Sequence, residues 1–522
     1  MKITGKRTLI GLLSIFLLGA LVLYIVQCRL ERMTTHFLSE KTPRHIQLDY
    51  EKLAINILTG TLEMKALTVD IFDRQTLEHR GSAAIDKVVM KGLSYRGYFV
   101  DKAMEWDDLL VINPRIAHYP AELEKEDGDA GQEEVFEIGN PWLFKTLRIQ
   151  KGSYARLGKG QAKPGITVEE FNATLEGCRL DSDTIGDIFP LEFNNLTFSL
   201  RDYHMLLGDY ETLTIGDLEI EDKVLLANQL TLKTTYGKQE LSSKIRTERD
   251  HIMLAIQGLR INNPGLGTKD SMVYISADSV FLERPRLEIF RDKLVADDPN
   301  HKKMYGRMLR ELPFRLELPR LEIQKGYVAY EEKADPQAKA GQIIFNDLDA
   351  SMLNVSNTYE SPLKTEILAS ALFMDDAKVE LDWSFDMNDP EEFFIAKGSF
   401  IDFNASSINP FLESTMRSRI EGYVNSMYFT VSGNSANSSG EMKMKYRDLD
   451  FVILKEDRSG INKLLTTIGS IFVKQNQNKD TPDFRYGQIE AERDATKSFF
   501  NYLWLNVRAG VKSTLTGNGR KE

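Results

Sequence analysis

The sequence predicts a mainly β protein: an N-terminal transmembrane helix, then a long antiparallel β-sheet, then short amphipathic helices at the C-terminal end. Three observations carry this. From Ile46 onward the dominant hydrophobic period is two, as in strands with one dry and one wet face. An uncharged apolar run stands before that region. Within it, one long segment occurs twice.

The apolar run is Thr8 to Cys28, 21 residues without a charge. As a helix it measures about 32 Å, one bilayer crossing. Lys2, Lys6 and Arg7 precede it, and Arg29, Arg32, Lys41 and Arg44 follow it. The Lys/Arg bias is therefore two-sided, but long domains translocate largely regardless of such charges. Residues 1–7 are placed in the cytoplasm, 8–28 in a membrane and the bulk beyond it. A cleaved signal peptide also begins basic and then apolar. No small-x-small site follows the run, and Gln27 before Cys28 is not the small residue that a lipoprotein site requires.

The repeat pairs Leu147-Arg-Ile-Gln-Lys-Gly152 with Leu321-Glu-Ile-Gln-Lys-Gly326, 174 residues later. Upstream, Pro114-Arg-Ile116 matches Pro285-Arg-Leu287 at an offset of 171, and downstream Phe171-Asn-Ala-Thr-Leu175 resembles Leu348-Asp-Ala-Ser-Met352 at 177. Small loop insertions would cause that drift. The expected units are 29–200 and 201–400, followed by strands over 401–455 and by helices, a connecting strand and a tail over 456–522. Units laid end to end give extended surfaces, not compact pockets.

The clearest strand is Lys378 to Met387, where Val379, Leu381, Trp383, Phe385 and Met387 alternate with Lys378, Glu380, Asp382, Ser384 and Asp386. Leu62–Ala66, Phe314–Leu318 and Met427–Val431 alternate in the same way. Turns are expected at Gly81-Ser82, Asn263-Pro264 and Asn388-Asp-Pro390. There is no strand–helix alternation, so a parallel α/β sheet is not expected. The apolar face must pack on a second sheet, close as a barrel or curl into a trough. The repeat favours a linear object over one barrel.

Glu122 to Glu134 is an acidic insertion, read as a solvated loop. Arg291 to Leu312 holds the equivalent place in the second copy, where Met304, Met308, Leu309 and Leu312 suggest a short helix. Two helical patterns follow near the end, over Gly460–Val473 and Lys497–Ser513, the second with Asp494 as its cap. They either close the end of the sheet or, through Phe499, Phe500, Leu503 and Trp504, touch a membrane or a partner.

The net charge of −11 argues against nucleic acid as a partner. Two cysteines, Cys28 and Cys178, make no disulfide framework. The seven histidines are isolated, with no HxxxH or HExxH spacing, and neither a GxSxG elbow nor a GxxxxGK[ST] loop occurs. No enzyme activity, cofactor or metal is expected.

The C-terminal third carries a pattern. Ile408-Asn-Pro410-Phe-Leu412 leads to Ile420-Glu-Gly-Tyr-Val-Asn-Ser-Met-Tyr428, then to Gly440-Glu-Met-Lys-Met-Lys-Tyr446-Arg-Asp-Leu449. Phe484-Arg-Tyr-Gly-Gln-Ile489-Glu-Ala-Glu-Arg-Asp494 and Ser498-Phe-Phe-Asn-Tyr-Leu-Trp504 complete it. Together with one anchor and a β-rich remainder, this resembles the AsmA-like family of Gram-negative envelope proteins (the AsmA/TamB/YhdP group), most sharply over 408–511. Ala495 stands where such proteins often have Pro, and the chain is short for the group. The resemblance implies a periplasmic sheet curled into an elongated open groove, and a part in moving phospholipid toward the outer membrane. Val379, Leu381, Trp383, Phe385 and Met387, with Phe314, Leu316, Met427 and Phe429, would then line the groove. The resemblance leaves room for an outer-membrane or envelope protein partner. The rival is a non-enzymatic assembly scaffold whose apolar sheet face is packed against protein.

Overall fold

A computed structural model describes residues 45–73, 76–120, 140–158, 164–181, 191–455 and 484–517. The expected anchor at 8–28, the acidic insertion and the helix expected over 460–473 lie outside them. Among the described residues no helix is long and apolar enough to cross a membrane. The protein is mainly β, with a long sheet of many strands. The chain divides into two compact units, residues up to Leu206 with Ile215–Asp222, and Leu207–Thr214 with Lys223 onward.

In the first unit β1 (Ile46–Asp49) and β2 (Lys52–Asn56) both pair with β3 (Thr61–Phe72). The sheet continues antiparallel through β4 (His79–Lys91) to β5 (Met104–His118). Then β5 runs parallel to β6 (Trp142–Arg156), after which β7 (Ile166–Leu180) and β8 (Asn195–Leu207) are antiparallel again. Residues of β9 (Glu211–Glu221) are shared between the units.

The second unit starts with β10 (Val224–Thr234) against β11 (His251–Asn262), with helix α1 (Lys238–Lys244) between them in sequence. A hairpin of β12 (Gly265–Lys269) and β13 (Met272–Ser276) follows. Next come β14 (Ser279–Glu283) and β15 (Arg286–Asp292), both antiparallel to β11. Helix α2 (Tyr305–Arg310) lies in the crossover to β16 (Arg315–Lys333), which is parallel to β13, β14 and β15. An antiparallel meander completes the unit: β17 (Gly341–Ser356), β18 (Thr365–Phe373), β19 (Ala377–Phe385), β20 (Phe394–Asn404), β21 (Ser418–Gly433), β22 (Asn437–Ile453) and β23 (Arg485–Glu492). Helix α3 (Asn409–Thr415) lies between β20 and β21, and α4 (Phe499–Thr516) ends the described chain.

The sheet is thus mixed, which corrects the expected all-antiparallel sheet. A parallel pair cannot be joined by a tight turn; it needs a crossover of a dozen or more residues. The acidic insertion stands in sequence between β5 and β6, and the segment from Arg291 to Leu312 leads from β15 towards β16. Two smaller corrections follow. Gly81-Ser82 is no turn but part of β4, where a Cβ on Gly81 would come within 3.1 Å of the Ala117 carbonyl oxygen. The cap of α4 is Ser498, whose hydroxyl accepts from the Asn501 N–H, while Asp494 accepts from the Thr496 N–H and hydroxyl.

The repeat is real in three dimensions and reaches further upstream than the sequence match. Gly81 opposes His118 in the first unit, and Ile252 opposes Ile289 in the second, both 171 residues later. Lys151 and Lys325 adopt the left-handed conformation, with φ of 54° and 52°. That geometry is uncommon outside glycine. In each, the N–H turns from the strand ladder to a side chain: Lys151 donates to Asn172 Oδ1 and Lys325 to Asp349 Oδ1, both at 2.9 Å. The register slips at the next residue, Gly152 or Gly326. A Cβ on Gly152 would fall inside the Phe171 ring. Ala66 and Gln229 are a second matched left-handed pair, with φ of 49° and 55°. At such a residue the alternation changes phase: Leu62 and Met64 precede Ala66, and Leu67 and Val69 follow it.

Because the two side chains accept the same kind of backbone N–H, Asn172→Ala and Asp349→Ala should each cost about 1 kcal/mol. The check is urea unfolding of each variant against the parent. Unequal losses would mean that the kink is held differently in the two copies.

Candidate functional site

Cross-strand register places apolar side chains in unbroken rows. In the first unit one row is Leu62, Met90, Leu109, Leu147, Leu175 and Leu196, one residue from each of β3 to β8. Beside it run Met64, Val88, Val111, Ile149, Ala173 and Phe198. Met90, Val88 and Ala173 are buried and the others are half-buried. The buried cluster at these rows is small: Met90, Trp106, Phe144 and Cys178, with Leu62, Leu109, Leu147 and Leu175 of the first row and Leu93 and Leu191 from connecting segments among the residues packed against it, and no helix residue in it.

The second unit repeats the first row position by position as Leu225, Ile261, Val280, Leu321, Met352 and Ile367. It then carries on through Trp383, Ala396, Val431, Gly440 and Ile489. The chemistry stays the same along its length, but the cover changes. Leu321, Met352 and Ile367 are half-buried, whereas Trp383, Ala396, Val431 and Ile489 are buried. The difference is α4, with α2 beside it. Phe499 stacks on Trp383 at 4.4 Å between centroids and 12° between planes, and Tyr305 meets the same indole edge-on at 5.3 Å. Such aromatic pairs add about 1 kcal/mol each beyond the area they bury.

This cover decides where the expected groove residues lie. Trp383, Phe385, Met427 and Phe429 belong to the core under the helices, and Leu381 packs against it. Val379 belongs to a second cluster with Phe373, Ile408 and Leu412, which α3 helps to close. Met387 is buried just past β19, with its carbonyl accepting from Arg310. These seven side chains are packed core, so an open apolar lining is corrected at their positions. Phe314 and Leu316 are half-buried at the start of β16, where Asn357 binds the carbonyl of one and the N–H of the other.

Over β16–β23 the concave surface belongs to the polar face. A concavity of about 950 Å³ runs between two rows of side chains that include Glu380, Ser399 and Tyr428 on one side and Asp382, Lys397 and Thr430 on the other. Leu381 and Phe429 border it from the strand positions between those rows, with their side chains in the helix-covered core.

The tail candidates separate. Phe499 is buried and Leu503 packs on the core, so both seal the sheet. Phe500 is 56% exposed, and Trp504, one turn on, is half-buried. Those two remain free to touch something else.

No protein-family model matches this chain, and no curated protein matches it. Its function is therefore argued from its own geometry.

The charged groups with a clear structural role lie at the start of α4. Lys497 donates to Glu248 at 2.9 Å and pairs with Asp297 at 3.1 Å, while Lys293 pairs with Glu248 at 2.7 Å. Burial pushes the Glu248 carboxyl up, but Lys293 and Lys497 outweigh it and hold the group below the ordinary carboxylate range. Lys497 and Lys293 hold Asp297 below its ordinary value as well. Among the described residues, no group of three or more His, Cys, Asp or Glu side chains could hold a metal.

The sequence did not single out the first unit's rows as a site. Their signal was present: Leu147 matches Leu321 and Leu175 matches Met352 in the repeat.

Both carboxyls have depressed folded values, so the stability they lend is present above the unfolded value and is lost as pH falls through the folded one. The start of α4 should therefore loosen below about pH 4. Near-ultraviolet circular dichroism reads the Trp383–Phe499 stack directly. Lys497→Met should flatten that pH response.

Proposed function

We propose that each unit binds phospholipid acyl chains along its apolar rows while the headgroups stay in water. In this reading the protein is a non-enzymatic component of phospholipid handling in a Gram-negative envelope. Residues 8–28 anchor it in the inner membrane, and the bulk of the chain stands in the periplasm. The observation that carries the reading is the first unit's pair of rows, six strands wide, apolar throughout, mostly half-buried and with no helix residue in its buried cluster. The resemblance to the AsmA-like family points the same way.

The physics is simple. Residues two apart on a strand are about 7 Å apart, so two adjacent rows flank a furrow wide enough for one acyl chain lying across the strands. Moving such a chain out of water gains about 0.8 kcal/mol per methylene. No bond is made or broken, which suits a chain without a catalytic motif.

A second reading is favoured by one specific observation: over β19–β23 the apolar face is packed against helices. There the sheet serves as scaffold. An envelope or outer-membrane protein would then be the partner, with Phe500 and Trp504 offered outward.

The deciding experiment is lipid extraction and quantification from the purified full chain after incubation with phosphatidylethanolamine vesicles. Leu109→Glu together with Leu147→Glu should lower bound phospholipid at least tenfold with the strand content unchanged. Equal loading would remove these rows from any lipid route. Phe429→Glu is the contrast: it puts a carboxylate into a closed core, so it should lower the unfolding midpoint rather than act on lipid alone.

A further inference from the structure

The row that starts at Leu225 does not end where its chemistry ends. Apart from buried Val280, it is half-buried as far as Ile367 on β18, which packs against the edge of the helix-covered core, and it then runs under α4 at Trp383 on β19. The two ends of α4 are held in different ways.

The C-terminal end is clamped. A Cβ on Gly487 would lie 2.5 Å from the Thr514 nitrogen and 3.0 Å from the Gly510 carbonyl oxygen, so helix and strand are in backbone contact. Arg485 donates to the Thr514 and Gly517 carbonyls at 3.0 and 2.9 Å, and the Gln488 N–H donates to the Ser513 hydroxyl at 2.9 Å.

The N-terminal end rests largely on side chains, with one backbone bond just before it, from the Lys302 N–H to the Ala495 carbonyl at 2.7 Å. Phe499 covers Trp383, whose indole N–H is buried with no hydrogen-bond partner among the described residues. Lys497 ties the preceding turn to Glu248 and Asp297. Between the two ends, Asn506 is fully buried, accepting from the Ser438 hydroxyl and donating to the Tyr502 carbonyl within the helix.

We infer that the N-terminal half of α4 is a displaceable stop, with the Lys497 ion pairs as its latch, and that an acyl chain advancing past Ile367 lifts Phe499 from Trp383 while the Gly487–Gly510 contact holds. This rests on the proposed lipid reading. An acyl chain can replace Phe499 because both offer apolar surface to the same row, and the row continues beneath α4 through Val431 and Ile489. Polar contacts hold the far half of the helix, and a hydrocarbon chain cannot substitute for them.

The test is hydrogen–deuterium exchange on the full chain held in amphipol, with and without phosphatidylethanolamine vesicles. The expected result is exchange at least tenfold faster at Tyr502–Leu505 with lipid, slower exchange in β16–β18, and no change at Ser513–Thr516. Lys497→Met keeps the aliphatic stem and removes the charge. It should speed exchange at Tyr502–Leu505 without lipid and leave Ser513–Thr516 alone. Protection of β16–β18 by lipid with α4 unchanged overturns the stop and leaves the lipid reading standing. Both halves of α4 loosening together also overturns it. No protection anywhere overturns the lipid reading and the stop with it.

Discussion

A sheet with one apolar face must cover that face, and this chain covers it unevenly. Everything else in the structure follows from that constraint. In the second unit the meander β19–β23 brings rings and branched side chains to one side, and α4 lies across them. The cover is close because the sheet offers glycine where the helix comes nearest: Gly487 has no side chain to hold Gly510 and Thr514 away. In the first unit the same rows of Leu, Met, Val and Ile have no helix residue in their buried cluster. The two copies share strand registers and kinks but differ in what shields them.

The kinks explain how such rows persist. A strand alternates its faces strictly, so a long apolar face requires an unbroken period of two. Here the period is reset at left-handed residues such as Ala66 and Lys151, and at their counterparts Gln229 and Lys325. Each reset takes an N–H out of the ladder. At Lys151 and Lys325 an Asn or Asp side chain on the neighbouring strand accepts that N–H, which keeps the backbone satisfied. The repeat seen in the sequence, Gln-Lys-Gly with its distant Asn or Asp, is the record of this one device.

That device also marks the limit of what could be read from sequence. The strands around Leu381 and Met427 were legible because their alternation is clean and unbroken. The repeat was legible because the kink demands Gly152 and Gly326 and their neighbours. The parallel pairing of β5 with β6 was not, because parallel and antiparallel strands share the same period of two; only the long crossover distinguishes them. Nor could alternation separate a lining from a core. Trp383 and Leu109 obey the same pattern, and what differs is a helix more than a hundred residues from either. The amphipathic pattern around Phe499 showed that a helix would form, but not that its apolar side meets the core of β19–β23 through Phe499, Tyr502 and Leu503.

Partial cover also bears on how such a surface could work. A closed pocket binds by enclosing its ligand, and the ligand then leaves slowly. Rows that shield only one side of an acyl chain recover part of the roughly 0.8 kcal/mol per methylene that full burial would give. The remaining exposure keeps the bound state shallow and lets a chain shift from one strand to the next without first returning to water. Leu or Met at one position on strand after strand suits such a surface. The covered end fits the same logic, because an apolar row that ran on uncovered to the last strand would present a sticky edge to any unfolded chain. On the proposed reading, a helix fixed at one end and held by ion pairs at the other would protect that row while leaving it accessible to hydrocarbon.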